Sequence, residues 1–403
     1  MEFRDYIKRK YYIEKVKPYI KKNIIKVFVG QRRVGKSFLL YQFIDIIKNL
    51  ERNPCIVYIN KELDEFSGIK NYTDLISYVK AKKGKRKFCY LFVDEIQDIE
   101  DFEKGIRGLF AGGGYDIYIS GSNANLLSGE LATYLSGRYI EIKVFGLSYS
   151  EFLTFHQLDD STQSFTRYLR VGGLPYLIHL PDDDYVVNDY LKNIYNTIIL
   201  KDVVSRYNIR NVNFLDKLVR FLCDNTGSIL SAKKISDYLK SQKLDISTQV
   251  VLNYLSHLVT AFLVFKVSRY DLSGKRIFEI GEKYYFEDTG IRNTIVGYKV
   301  SDINKLLENV VYLHLCIAGY NVTVGKYNDK EIDFVGEKFG EKIYVQVCYL
   351  ISDEKVVERE FGNLLSVTDN YTKYVVSMDE VGNTASKNGI RHMEVRKFLR
   401  MLA

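Results

Sequence analysis

Apolar residues in the first part of the chain follow two alternating patterns. Short apolar runs have the length and the β-branched, aromatic content of strands buried on both faces. They are Ile24-Ile25-Lys26-Val27-Phe28-Val29, Cys55-Ile56-Val57-Tyr58-Ile59, Phe88-Cys89-Tyr90-Leu91-Phe92-Val93, Tyr115-Asp116-Ile117-Tyr118-Ile119-Ser120, and Tyr139 to Val144. Between them, apolar positions recur at helical spacing: Leu40, Phe43, Ile44 and Ile47, and later Phe102, Ile106, Leu109 and Phe110. Residues 1–23 carry Tyr12, Val16, Tyr19 and Ile20 at helical spacing and read as a helical lead-in. Strands alternating with helices predict a parallel α/β sheet, class α/β, over residues 1–146.

The pattern then changes. Residues 147–210 read as helical: Ser148-Tyr149-Ser150-Glu151 is a capping box, Gly172-Gly173-Leu174-Pro175 a turn, and Val187, Tyr190, Leu191, Ile194 and Ile198 one long apolar stripe. Residues 211–295 predict three short helices. Phe214, Leu218, Phe221 and Leu222 mark the first, Ser231 to Leu239 the second, and Ser247 caps a third with Val251, Leu255, Leu258 and Phe262 inward. Leu263 to Val267 and Ile277 to Phe286 then flank a turn at Asp271-Leu272-Ser273-Gly274-Lys275, which completes a winged helix-turn-helix pattern. Residues 296–403 predict a last α/β unit. It has a helix on Leu306, Val310 and Leu313, strands at 331–335 and 342–348 joined near Gly340, and a helix on Val357, Phe361, Leu364 and Leu365.

The first strand runs into Gly30-Gln31-Arg32-Arg33-Val34-Gly35-Lys36-Ser37, which fits the P-loop pattern in the strand–loop–helix context that pattern requires. Gly30 and Gly35 let the backbone turn and approach a ligand, and the loop amides with the helix N-terminus favour phosphate. Lys36 is expected on the β- and γ-phosphates of ATP and Ser37 on Mg²⁺. The strand ending in Asp94-Glu95 supplies the other half: Asp94 for the magnesium, Glu95 for the attacking water. Ser120-Gly121-Ser122-Asn123 ends the next strand. It is either a γ-phosphate sensor, Ser122 first and Asn123 next, or an ordinary turn. Arg138 is read as an arginine finger or sensor, against a plain surface arginine.

Composition narrows the class. Of 403 residues, 46% are hydrophobic and 27% charged, as in globular proteins of several domains. No apolar run is long enough to cross a bilayer and the N-terminus lacks a signal-peptide core, so a cytoplasmic protein without a membrane partner is expected. Five scattered cysteines without a C-x-x-C argue against a disulfide framework or zinc site. The net charge of +8 permits DNA binding without demanding it. Gln249 and Asn253 lie on the exposed side of the third helix, which carries no Arg or Lys there; the wing carries Lys266, Arg269, Lys275 and Arg276. The basic loop Lys82 to Lys87 reads as a solvated connection.

With these motifs in place, the chain resembles a prokaryotic family of ATPases in which an AAA+ core is fused to domain of unknown function 4143. The stretches that carry the likeness are Gly30 to Ser37, Leu91 to Ile96, Ile119 to Asn123, Leu135 to Arg138, Gly172 to Pro175, Lys201 to Tyr207 and Lys330 to Val335. The resemblance implies a P-loop core (1–146), a helical lid (147–210), a winged helix (211–295) and a nuclease-like α/β domain of the PD-(D/E)xK type (296–403). It also implies a homo-oligomer in which Arg138 acts in cis or from a neighbour. Glu308 and Asp333 match the nuclease acids, but the last triplet is Gln346-Val347-Cys348. A neutral amide and a thiol replace an acid and a lysine, so an inactive nuclease-like domain is expected. Three functions stay open: an ATPase that drives its appended domains, a nucleotide-gated DNA-binding protein, and a metal-dependent nuclease.

Overall fold

In the computed structural model, β1 (Ile25–Val29) lies inside a sheet with β2 (Ile56–Asn60), β3 (Cys89–Asp94), β4 (Tyr115–Gly121) and β5 (Tyr139–Lys143), in the order β2-β3-β4-β1-β5. Every neighbouring pair is parallel. The structure describes residues 6–127, 137–243, 245–272, 274, 276–277, 281–351, 354–380 and 386–402. They form two units: residues 1–144 with 260–262, and residues 145–259 with 263–403.

In the first unit, all residues of β1 and β3 are buried, as their unbroken apolar runs require. Helix α1 (Lys10–Val16) packs on α2 (Lys36–Leu50), whose Leu40, Phe43, Ile44 and Ile47 are buried. Helices α3 (Tyr72–Lys83) and α4 (Phe102–Gly112) pack on each other. The apolar reading of β1 passes over Lys26, which is fully buried. It pairs with the equally buried Asp116 of β4. Asp116 also accepts from Tyr118 OH at 2.9 Å and from the backbone N–H of Lys21 at 2.8 Å. A charge in mid-sheet is thus neutralised across neighbouring strands rather than by water.

The second unit opens with α5 (Tyr149–His156). Its capping box closes as the sequence predicts: Ser148 Oγ accepts from Glu151 N at 3.2 Å and Glu151 accepts from Ser148 N at 3.1 Å. Helices α6 (Thr162–Val171) and α7 (Asp184–Thr197) follow, the latter continuing as a π-helix through Ile198–Ser205. Helices α8 (Val212–Asp224), α9 (Ala232–Ser241) and α10 (Thr248–Thr260) come next.

Antiparallel pairing joins β6 (Val264–Val267) to β9 (Lys283–Phe286). The tip between them differs from a free-standing wing. There β7 (Arg269–Asp271) pairs with β8 (Arg276–Ile277), and β7 also pairs in parallel with β10 (Asn321–Tyr327). The tip therefore extends an eight-stranded sheet that runs through β11 (Lys330–Lys338), β12 (Glu341–Val347), β13 (Thr372–Ser377), β15 (Ile390–Glu394) and β14 (Ser386–Lys387). Helices α11 (Thr289–Val296), α12 (Ile303–Ile317), α13 (Glu354–Leu365) and α14 (Val395–Leu402) complete the unit. The sheet's core gathers Ile332, Val335, Tyr344, Phe361, Leu364 and Val375. Among the described residues no helix is long and apolar enough to cross a membrane, and all five cysteines are free.

Candidate active site

Strand order builds the site. Because β4 lies between β1 and β3, the residues at its C-terminal end lie between the loop after β1 and the acidic pair after β3. The carboxyl ends of parallel strands are where ligands bind such sheets. The loop Gly30 to Gly35 leaves β1 there and leads into α2. Gly30 has no room for a side chain: an added Cβ would come 2.1 Å from Val144 O. Gly35, at φ +95°, holds the left-handed conformation that precedes the helix. Gln31, Arg32 and Val34 are buried, while Arg33 is exposed at φ +68°. Arg32 reaches Glu62 at 3.2 Å.

Lys36, at the first turn of α2, is buried and donates to Gly30 O at 3.0 Å and Gln31 O at 2.9 Å. Its ammonium is 3.7 Å from Glu95 Oε1. Asp94 ends β3 with 1% of its surface exposed. The Ser120 hydroxyl hydrogen-bonds it, the Ser37 hydroxyl lies beside it, and Tyr58 OH lies at 3.5 Å. Burial pushes the Asp94 carboxyl above its usual range, and neutral hydroxyls do not cancel that push. A buried carboxylate with a hydroxyl beside it is a set of hard oxygen donors, and it fits a magnesium ion.

Glu95 takes a left-handed conformation, φ +53°. Burial pushes its carboxyl up, but the Lys36 and Arg32 cations oppose this, and the balance leaves it below the usual range. Gln97 Nε2 donates to Glu95 Oε2 at 2.5 Å and lies 3.5 Å from Ser122 Oγ. Gln97 Oε1 is buried without a partner among the described residues. Gly121 makes the room, since a Cβ there would stand 2.4 Å from Gln97 Oε1. Lys36, Ser37, Asp94, Glu95 and Ser122 thus come together.

Arg138 does not join them in its own chain. Its carbonyl accepts from Ile25 N, at the N-terminal end of β1, and its side chain is exposed. Five strand residues at about 3.3 Å each separate that edge from the loop. Of the readings the sequence leaves open for Arg138, the strand direction is at odds with the one in cis, since it carries the residue to the opposite edge of the sheet. Leu135 and Ser136 lie outside the described residues. Two members of the site escape sequence reasoning. Ser120 looks like the last residue of an apolar strand, and Gln97 follows Glu95 by two positions with no periodicity to mark it.

The other expected cluster also assembles. Glu308 of α12 and Asp333 of β11 approach each other; Val347 N donates to Asp333 Oδ2 at 2.9 Å, and Asp333 N donates to Gln346 Oε1 at 3.4 Å. Burial, with Glu308 nearby, pushes the Asp333 carboxyl above its usual range, and the Lys283 ammonium opposes that push. Cys348 is buried, and its thiol is raised by that burial to about 12. As the side chains stand, no group of three or more His, Cys, Asp or Glu among the described residues could hold a metal ion.

Residues 22–153 match the AAA domain, and residues 162–302 match a domain of unknown function (DUF8612). An uncharacterized protein of Haemophilus influenzae is 36% identical over 377 residues, spanning 92% of this chain and 93% of its own. Another, from Methanocaldococcus jannaschii, is 31% identical over 347 residues, spanning 82% of this chain and 76% of its own. The chain belongs to the family of these relatives, and its own residues 22–153 carry the AAA domain. A Walker-type ATPase of Pyrococcus abyssi shares the fold at 16% identity, with a TM-score of 0.52 over 72% of this chain and 96% of that one. The protein is thus a P-loop AAA-domain protein in which a domain of unknown function follows the AAA domain over residues 162–302, and the AAA domain implies nucleotide binding.

Proposed function

We propose that the protein binds ATP with Mg²⁺ on the loop Gly30 to Ser37 and hydrolyses it. Turnover would drive conformational change in the helical lid (147–210), a winged-helix region (211–295) and a nuclease-like, DUF4143-type domain without nuclease activity (296–403). The observation that carries the reading is the meeting of Lys36, Ser37, Asp94 and Glu95 at one end of the parallel sheet. Lys36 exchanges its two carbonyl acceptors for phosphate oxygens. Ser37 Oγ and the Asp94 carboxylate would hold the magnesium, which would neutralise phosphate charge when bound. Glu95, ionised at neutral pH, accepts the proton of the water that attacks the γ-phosphorus; the bond to the β-phosphate oxygen breaks and ADP leaves. Gln97 positions Glu95, and its free Oε1 can accept from that water. Ser122 senses the γ-phosphate.

For Arg138 we propose a role in trans, as a finger to a second copy, against that of a plain surface arginine. Phosphate release from Mg·ATP, followed against protein concentration, tests both ideas. Mg²⁺-dependent turnover whose rate per chain rises with concentration is expected; absence of turnover at every concentration contradicts the reading.

Nucleotide-gated DNA binding is the second reading. It rests on the +8 charge and on Lys266 and Arg269, although Lys266 already faces Glu282 at 3.5 Å. Lys275 and the side chain of Arg276 lie outside the described residues. Affinity for duplex DNA that falls steeply with salt would favour it, and no binding at low salt would remove it.

A further inference from the structure

Lys283 is a charge in a strand whose four residues are all buried. It is 2% exposed, and nothing in the phosphate-site chemistry uses it. Its Nζ lies 2.8 Å from Glu308 Oε1, 2.9 Å from Glu331 Oε1 and 3.5 Å from Asp333 Oδ1. The three carboxylates come from α12 and β11, while the lysine comes from β9. Tyr285, two residues further along β9, donates its hydroxyl to Glu308 as well. Gly227, at φ +74°, covers the cluster: an added Cβ would stand 3.1 Å from the Glu308 carboxyl.

We propose that the Lys283 ammonium is a built-in cation, seated among Glu308, Glu331 and Asp333 where a divalent metal ion would otherwise bind, and that it closes this cluster to metal. An ammonium has three N–H donors and no acceptor, and three carboxylates here face them. The ammonium donates to Glu308 and Asp333 and pairs with Glu331, so it is turned inward. A lysine serving a phosphodiester would have to present an N–H outward. The charge balance agrees, since without the ammonium the largely buried Glu308 and Asp333, with the partly exposed Glu331 beside them, would crowd negative charge that a cation or protonation relieves. The same contacts bind β9 to β11 and α12. This inference does not depend on the ATP reading.

The test is Mn²⁺ binding to the nucleotide-free full chain, read from the electron paramagnetic resonance signal of free Mn²⁺. Wild type, K283A and K283A/D333N are compared, with circular dichroism to check folding. K283A is expected to bind one Mn²⁺ per chain more than wild type and to melt higher when Mn²⁺ is added. K283A/D333N is expected to lose both effects. Equal Mn²⁺ stoichiometry in wild type and folded K283A would overturn the proposal. Should K283A fail to fold, the neutralised variant K283M/E308Q/D333N is expected to fold, because the fault lies in uncompensated carboxylates. If that variant is also unfolded, Lys283 acts through packing and the proposal fails.

Discussion

Replacing Asp116 by Asn takes the counter-charge from Lys26 in the middle of the parallel sheet. Neither side chain of the pair has exposed surface. What remains near the ammonium is Lys22 O at 3.4 Å and the Tyr118 ring, 4.9 Å to its centre. Removing one partner of a buried pair costs about 3–5 kcal/mol, because an uncompensated charge stays in the interior. At roughly 2–4 °C per kcal/mol for a unit of this size, Asp116→Asn should lower the melting of the first unit by on the order of 10 °C. Lys26→Met/Asp116→Asn leaves no buried charge. It should recover much of the loss, giving a coupling on the order of 2–3 kcal/mol in the double-mutant cycle.

The pH dependence has a definite sign. Burial already lowers the Lys26 pKa, and Asp116 opposes that shift. In Asp116→Asn the opposition is gone, so the folded pKa falls further below the ordinary lysine value. Between those two values the unfolded chain binds the extra proton, and the variant should gain stability as pH rises through that window. Calorimetry of wild type, Asp116→Asn, Lys26→Met and the double variant at neutral and alkaline pH measures this. Hydrogen exchange of peptides covering β1 and β4 assigns the transition to the first unit. Additive single effects, or a loss in Asp116→Asn below about 1 kcal/mol, the size of an exposed pair, would refute the reasoning.

Lys36→Ala should weaken ATP binding by roughly 10–100-fold, as loss of a charged hydrogen-bond donor predicts, measured by titration calorimetry; unchanged affinity would exclude the phosphate contact. Gln97→Ala should lower kcat by roughly tenfold with little change in ATP affinity, since Gln97 holds Glu95 rather than the nucleotide; a change in KM alone would contradict that role. His314 is fully buried, its Nε2 accepts from Tyr149 N at 2.9 Å and its Nδ1 donates to Val310 O at 2.8 Å, so it must stay neutral. Burial lowers its pKa to about 4. The unfolded chain therefore takes up a proton first, and on the order of 3 kcal/mol of second-unit stability should be lost as pH falls from about 6.5 to 4. His314→Gln should flatten that slope in denaturant titrations at stepped pH, and an unchanged slope would exclude His314 as the group.

The five strands of the first sheet are legible in the sequence because strands buried on both faces leave unbroken apolar runs. The phosphate loop is legible because its spacing fixes its own backbone. What joins residues far apart in the chain is not. The Lys26–Asp116 pair depends on β1 and β4 being neighbours, which no local pattern states. Ser120 enters the site for the same reason. Arg138 is the right residue type, yet strand direction carries it to the other edge of the sheet. The region after α10 shows a hairpin pattern, but the parallel pairing of β7 with β10 depends on a strand more than fifty residues downstream. Lys283 sits in a strand that reads as apolar, and the partners that explain it come from α12 and β11.

The most direct test of the central claim is a single-turnover measurement with Mg·ATP on wild type and Glu95→Gln, with nucleotide binding followed in parallel. The account predicts that both chains bind ATP alike, while Glu95→Gln cleaves it about 10²–10⁴-fold more slowly, the range for loss of a positioned general base. Equal cleavage rates in two chains that both bind ATP would contradict it.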